Sequence, residues 1–145
     1  MDLIPINNKK WQSGGFTIIE LLVVTAIIAL LASAIFVTLS SARAKGRDAT
    51  REQHIKTLQS ALESFYTNAR RYPICDPGEF VTGSDCLSVD LVNAEAIAAS
   101  PLDPLNQGNN RYFYESVDGV DYVITYYLET DGIPAKSAGE NQATP

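Results

Sequence analysis

The sequence is poor in the residue types on which most catalytic and metal sites depend. It contains one histidine, His54, and two cysteines, Cys75 and Cys86, among 145 residues. No nucleophile, phosphate-binding loop or metal-ligand spacing accompanies His54, which falls beside charged residues on a predicted helix. We therefore expect His54 to be a solvated surface side chain, and we expect neither catalytic residues nor a cofactor. The protein is predicted not to be an enzyme.

Charge is almost absent from one long segment. Between Phe16 and Leu39, a run of 24 residues, Glu20 is the only ionisable side chain. A helix of this length reaches roughly 36 Å, whereas the hydrocarbon core of a bilayer is roughly 30 Å thick. Apolar residues surround the whole helix and leave no polar stripe, which disfavours an amphipathic helix of a soluble protein. Residues 16–39 are therefore predicted to span a membrane.

Glu20 is the feature of this run that needs an explanation. A carboxylate in the membrane costs about 2.5 to 3.5 kcal/mol even on lenient insertion scales, so it usually has a partner. One interpretation is that Glu20 lies close enough to the helix end to snorkel to the interface. The other is that a cation from elsewhere pairs with it, because an ion pair is strong in a low dielectric. A secretory signal is disfavoured, since Gly14 and Gly15 precede the apolar run instead of following it.

The residues around Glu20 form a specific pattern, Lys9-Lys10 followed by Gly15-Phe16-Thr17-Ile18-Ile19-Glu20. It resembles the class III signal and N-terminal helix of type IV prepilins and of type II secretion pseudopilins. The resemblance implies that residues 1–15 are a leader peptide, which a prepilin peptidase removes after Gly15 before Phe16 is N-methylated. It also implies that Glu20 pairs with the Phe16 amine of a neighbouring subunit in a helical homo-oligomer built by a pilus assembly platform. The family commonly has proline where this chain has Val37, so the usual helix kink is not expected.

Beyond the apolar run, the sequence predicts that the helix continues with one apolar face. Ile55, Leu58, Leu62 and Phe65 recur at spacings of three and four residues. No proline interrupts residues 16–71, and the residue before Pro73 is disfavoured in a helix. One long helix over residues 16–71 is therefore predicted, followed by a small globular head over residues 72–145. The residues expected on the other faces of the helix are Arg51, Glu52, Lys56, Gln59 and Glu63.

The two cysteines frame a loop that is rich in turn-forming residues. Ten residues separate Cys75 from Cys86, and this gap fits no compact redox or zinc motif. A structural disulfide is the favoured interpretation, with two free thiols or a redox-active pair as the alternatives. A disulfide requires an oxidising compartment, which favours a head outside the cell membrane. The positive-inside rule alone favours the opposite orientation, because Lys and Arg are more frequent after the apolar run than before it.

The head is predicted to contain a β-hairpin. Residues 111–117 and 122–129 are rich in aromatic and β-branched residues, and Asp118-Gly119 between them is typical of a hairpin turn. The sequence leaves room for a third strand but gives it no position. Residues 87–99 are read as a short helix with Leu87, Leu91 and Val92 on one face, or alternatively as a strand at residues 88–91. Residues 135–145 are expected to be a mobile tail. Four tyrosines are expected to pack on one face of the hairpin: Tyr112, Tyr114, Tyr122 and Tyr126.

The fold class is therefore predicted to be α+β. Its long helix, with a transmembrane half and an amphipathic half, would pack on a small antiparallel sheet. The end of the helix, Ala61-Leu62-Glu63-Ser64-Phe65-Tyr66 followed by Arg71-Tyr72-Pro73, resembles that of major pseudopilins and many short pilins, which implies a pilin-like head.

Charge is distributed unevenly along the rest of the chain. Residues 57–145 contain four basic and thirteen acidic side chains, so the head is not expected to bind nucleic acid, which requires a basic surface. Some related pseudopilins bind calcium in an acidic loop, but calcium takes six to eight oxygens and solvated acids explain this region more simply. No metal is expected, and the weak calcium candidates are Asp118, Asp121, Glu129 and Asp131. A basic collar is expected to attract anionic lipid headgroups; its members are Arg43, Lys45, Arg47 and Arg51.

The favoured hypothesis is a structural subunit, similar to a major pilin, of a type IV pilus. It would sit in the inner membrane as a single-pass protein with its head outside, and in an extracellular filament after assembly. One alternative is a pseudopilin of a type II secretion system. A second is a single-pass anchor that presents a binding domain, but such an anchor has no need of a cleavable Gly15 or a buried Glu20.

Overall fold

The computed structural model describes residues 15–145, so the predicted leader peptide lies outside the described residues except for Gly15. The chain divides into two units, residues 1–39 and residues 40–145, and the first helix contributes to both. The fold is α+β, as predicted. Its elements in chain order are α1 (Ile18–Ala69), β1 (Cys75–Phe80), α2 (Cys86–Asn93), β2 (Phe113–Ser116), β3 (Val123–Leu128) and β4 (Gly139–Ala143).

Helix α1 is slightly shorter than the predicted helix over residues 16–71. It ends at Ala69 because the next residue, Arg70, adopts a left-handed conformation with φ 59°. The Arg70 amide still donates to the Tyr66 carbonyl at 2.8 Å, which closes the last turn. The sequence predicted that the helix would end just before Tyr72-Pro73. The chain instead leaves the helix at Arg70, three residues before Pro73.

In the first unit, α1 exposes its apolar side chains. Phe16 and Ile18 are 84% and 85% exposed, and Glu20 is exposed as well. Among the described residues, α1 is the one helix whose length and composition would allow it to cross a membrane, and none of its most apolar stretch is buried within the chain. This apolar surface suits membrane anchoring, since lipid would cover what the chain leaves open.

The second unit contains a four-stranded antiparallel sheet in the order β1-β2-β3-β4. Strands β2 and β3 form the predicted hairpin, with Phe113 opposite Thr125 and Tyr114 opposite Ile124. Gly119 in the connecting turn has φ 77°, a value that favours glycine. The predicted hairpin is therefore confirmed, within slightly shorter bounds.

Strands β1 and β4 had no position in the sequence prediction, which left room for one further strand. Strand β1 occupies the first half of the cysteine loop, where Pro77 and Gly78 suggested turns, and pairs with β2 through an irregular register. Strand β4 pairs with β3 over five residues, so the prediction of a mobile tail over residues 135–145 is wrong. β4 lies at the edge of the sheet and is held by backbone hydrogen bonds, which require no apolar side chains.

The core lies between one face of the sheet and the second-unit part of α1. Ile55, Leu58 and Leu62 are buried there, with Phe65 partly buried beside them, so the apolar stripe is confirmed. Tyr114 donates its hydroxyl to the Pro73 carbonyl at 2.9 Å. The predicted tyrosine face is also confirmed, since all four of its members are buried: Tyr112, Tyr114, Tyr122 and Tyr126.

Residues 86–93 form a helix, so the alternative of a strand at residues 88–91 is wrong. Asp85 caps α2 by accepting hydrogen bonds from the Ser88 amide at 3.1 Å and hydroxyl at 2.7 Å. Leu87 and Leu91 are buried as expected, whereas Val92 is 40% exposed and does not share their face. The cysteines form a disulfide between the beginnings of β1 and α2, Cys75–Cys86, with a Cα–Cα distance of 5.9 Å.

Candidate functional site

The start of α1 is closed by a reciprocal pair of side chains, Thr17 and Glu20. The Thr17 hydroxyl oxygen accepts the Glu20 amide at 3.2 Å. In return, Oε2 of Glu20 accepts the Thr17 amide and the Thr17 hydroxyl, both at 2.9 Å. This is a capping box, which satisfies backbone amides that the first helical turn leaves without partners.

Glu20 therefore has a partner in its own chain, although no basic residue lies in the run. The signal was present in the sequence as Thr17-Ile18-Ile19-Glu20, which has the Thr-x-x-Glu spacing of a capping box. Our interpretation of Glu20 considered only a cation or the membrane interface and missed Thr17. Pairing with a neighbouring subunit stays a prediction.

Gly15 precedes the capping box, and nothing in the described chain requires glycine there. A Cβ atom at this position would meet no heavy atom within 4 Å, and its φ lies outside the range that favours glycine.

The basic collar does not form one solvated surface, which corrects the prediction for two of its members. Arg43 and Lys45 are exposed. Arg51, expected on an outer face of the helix, has no exposed surface. Arg47 donates two hydrogen bonds to Glu129, from Nε to Oε1 at 2.8 Å and from Nη2 to Oε2 at 2.5 Å. The reason is that carboxylates of the head cover this face of α1, which periodicity alone does not reveal.

Arg51 is surrounded by three carboxylates. Its Nε donates to Asp103 Oδ2 at 2.6 Å, and its Nη1 donates to Asp48 Oδ1 at 2.8 Å and to Glu129 Oε1 at 2.6 Å. Its Nη2 donates to Asp103 Oδ1 at 3.2 Å and to Asn110 Oδ1 at 3.1 Å. The guanidinium thus joins α1 to the segment after α2 and to the end of β3. We call these five residues the Arg51 cluster.

Backbone amides complete the partners of the buried carboxylates. Asp48 accepts the amides of Glu129 at 3.0 Å and Thr130 at 2.8 Å, and Asp103 accepts the amide of Leu105 at 2.8 Å. Such partners are needed because an unpaired buried charge is strongly destabilising.

The pKa values of the cluster follow from these contacts. The hydrogen bonds from Arg47 and then Arg51 outweigh partial burial and lower the pKa of Glu129 to about 2. Burial of Asp103 favours its neutral form, yet the hydrogen bond from Arg51 and the backbone amides hold its pKa below the usual value. Burial likewise opposes the charge on Arg51, and its carboxylate partners raise its pKa nonetheless. All three groups therefore stay ionised at neutral pH.

His54 is not the solvated side chain that the sequence suggested. It is partly buried, and its Nδ1 lies 3.0 Å from the hydroxyl oxygen of Tyr112. Its position next to Ile55 and one turn before Leu58 brings it to the border of the core, where Tyr112 provides a hydrogen-bonding partner.

The calcium candidates are not assembled as a metal site. Glu129 is bound by two arginines, Asp131 accepts the Ala138 amide at 2.7 Å, and Asp118 accepts the Val120 amide at 3.0 Å. For Asp121, the backbone carbonyl accepts the Ser116 hydroxyl at 2.7 Å. Within residues 15–145, no three His, Cys, Asp or Glu side chains are placed to hold a metal ion together.

Comparison with known families gives a match on the segment that contains Gly15, Phe16 and Glu20. Residues 12–36 match the family model described as the prokaryotic N-terminal methylation motif. This motif is the class III signal of type IV pilins, and it supports a protein of the pilin or pseudopilin type. It implies processing by a prepilin peptidase and assembly into a filament. No curated protein and no solved structure matches the chain.

The Arg51 cluster leads to a prediction about stability. Replacing Arg51 by Ala leaves carboxylates buried without their cation, so the free energy of unfolding of the head should fall by about 3 to 5 kcal/mol. Urea unfolding of the full chain in detergent, followed by the near-ultraviolet circular dichroism of the buried tyrosines, measures this change. The matched control is Arg43→Ala at an exposed position, expected to change stability by less than about 0.5 kcal/mol. Equal effects of the two substitutions would contradict the buried role of Arg51.

Proposed function

We propose that this chain is a structural subunit of a type IV pilus, matured by removal of residues 1–15 and assembled through residues 16–39. The observation that carries the proposal is the methylation motif at residues 12–36, which overlaps the part of α1 whose apolar side chains are exposed among the described residues. A filament core of packed helices would supply that cover. Glu20, the only ionisable residue of the run, would then lie inside the core.

Processing would hydrolyse the peptide bond between the Gly15 carbonyl carbon and the Phe16 nitrogen. The released nitrogen becomes a cationic amine, and methylation would modify it afterwards. Within the described residues, Gly15 has no steric reason to be glycine. We therefore attribute the requirement for glycine to the active site of the peptidase, which must admit the chain on either side of the bond.

The capping box supplies a geometry for the pairing of Glu20. Among the described residues, the hydrogen bonds to this carboxylate end on Oε2, and both come from Thr17. Thr17 would thus hold the carboxylate in place while Oε1 accepts the Phe16 amine of a neighbouring subunit. An unpaired charge in the apolar core is heavily penalised, so an amine and a carboxylate would join only when subunits are in register.

A type II secretion pseudopilus is the second candidate. The observation that favours it is the motif itself, which pseudopilins share with pilins. A single-pass anchor is less well supported, because cleavage after Gly15 would bring it no advantage, although the capping box would still account for Glu20. The Arg51 cluster and the disulfide are compatible with all three candidate functions and therefore do not distinguish between them.

The first test is the identity of the N-terminus in assembled material. Filaments sheared from cells should contain a chain that begins with methylated Phe16, identified by intact mass and N-terminal sequencing. Loss of surface filaments on deletion of the gene supports a pilus, whereas loss of protein secretion with filaments retained supports a pseudopilus. A chain that keeps Met1 and stays in the membrane would contradict both.

The second test concerns Glu20. The variant Glu20→Val should be processed and inserted in the membrane but should yield less than about a tenth of the wild-type filaments, because an unpaired amine opposes assembly. The matched control is Thr25→Val, which removes another polar side chain of the run; among the described residues, the Thr25 hydroxyl donates to the Leu22 carbonyl of the same helix. Immunoblots of sheared and membrane fractions measure both. Normal filaments from Glu20→Val would refute the pairing.

A further inference from the structure

The outer face of the sheet, opposite the core, has an aromatic centre. Phe80 lies opposite Phe113, and Phe113 lies opposite Thr125, so these residues form one row across three strands. Tyr127 follows on the same face, because the buried residues of β3 alternate with partly exposed ones. Phe80 is 42% exposed, and its ring meets that of Phe113 edge to face at 5.4 Å. A solvent-facing sheet surface is usually polar, so this arrangement is unusual.

A basic and an acidic side chain, Arg111 and Glu140, border the row formed by Phe80, Phe113 and Thr125. The Arg111 guanidinium lies 4.0 Å from the centroid of the Phe80 ring, and its Nε donates to the Gly108 carbonyl at 3.3 Å. Glu140 lies opposite Tyr127 in the pairing of β3 with β4. Together these residues border a concavity of about 420 Å³, a size typical of small-molecule sites. We call it the outer groove.

We propose that the outer groove binds a neutral pyranose sugar, presented as one or two rings of a glycan. A pyranose has apolar faces made of C–H groups, which would pack on Tyr127 and Phe113. Its hydroxyls both donate and accept hydrogen bonds. Arg111 supplies donors, Glu140 supplies acceptors, and Asn109 supplies both.

The charges of the groove disfavour other ligands. Glu140 would repel a phosphate, and residues 57–145 contain only four basic side chains against thirteen acidic ones, so a nucleic acid is a poor fit. A purely apolar ligand would remove Arg111 and Glu140 from water without replacing their hydrogen bonds, which is costly. An uncharged ligand that is rich in hydroxyls avoids both penalties.

The proposal goes beyond a role in filament assembly and does not depend on it. The outer groove lies wholly within residues 40–145, whereas processing and assembly concern residues 15–39. A chain that never assembles should still bind the sugar.

The test uses the full chain, purified in a phosphocholine detergent so that no sugar headgroup competes. The methyl glycosides of glucose, galactose, mannose and N-acetylglucosamine are titrated separately and followed by saturation-transfer NMR. At least one should bind with a Kd of about 10 mM or tighter. Its strongest signals should come from the C–H protons of one ring face, because that face would lie on the aromatic residues.

Variants assign the binding to the outer groove. Tyr127→Ala should weaken binding at least fivefold, whereas Tyr127→Phe, which keeps the ring, should change it less than twofold. The matched control is Tyr66→Ala, which removes a tyrosine that is 37% exposed outside the groove and should leave binding unchanged. If Tyr127→Ala does not fold, Arg111→Gln provides the second test and should weaken binding at least threefold.

Three outcomes would overturn the proposal. The first is that none of the four glycosides binds with a Kd of about 10 mM or tighter, since weaker binding would not indicate a formed site. The second is binding that survives both Tyr127→Ala and Arg111→Gln. The third is that the NMR signals of the aromatic residues in the outer groove change with protein concentration and not with sugar. This result would indicate that a second copy of the chain binds this face.

Discussion

Arg51 carries a full charge in a place that water does not reach, and the head is arranged around this charge. Transfer of a cation from water to the protein interior costs several kcal/mol unless partners replace the lost hydration. Asp48, Asp103 and Glu129 provide that replacement from three separate parts of the chain. The helix, the segment after α2 and the end of β3 are thus fixed together by one guanidinium, next to an apolar core that also contains the tyrosines of the sheet.

The two parts of α1 meet different requirements. After residue 40 the helix buries Ile55, Leu58 and Leu62 against its own sheet. Before that point its apolar side chains are exposed, and lipid or the helices of other copies must cover them. The methylation motif at residues 12–36 overlaps this exposed part from Gly15 onwards.

The sequence predicted what depends on local pattern and missed what depends on distant partners. Apolar spacing indicated the buried face of α1, and the aromatic runs around Asp118-Gly119 indicated the hairpin. Arg51 was placed on a solvated face because two of its three carboxylates lie 52 and 78 residues further along the chain. The sequence did not predict strand β4, because backbone pairing at a sheet edge requires no apolar pattern and this strand is polar. The capping box of Thr17 and Glu20 is also a local pattern, and its Thr-x-x-Glu spacing is present in the sequence.

The central claim is that only the part of α1 after residue 40 unfolds together with the sheet. Amide hydrogen exchange of the full chain in detergent, measured across increasing urea, tests this claim most directly. Amides at residues 47–62 should lose protection together with the four strands, because the Arg51 cluster and the core make them one cooperative unit. Amides at residues 18–39 should stay protected by the detergent over the same range. Protection of residues 47–62 that outlasts the sheet, or loss of protection along all of α1 in one step, would contradict the account.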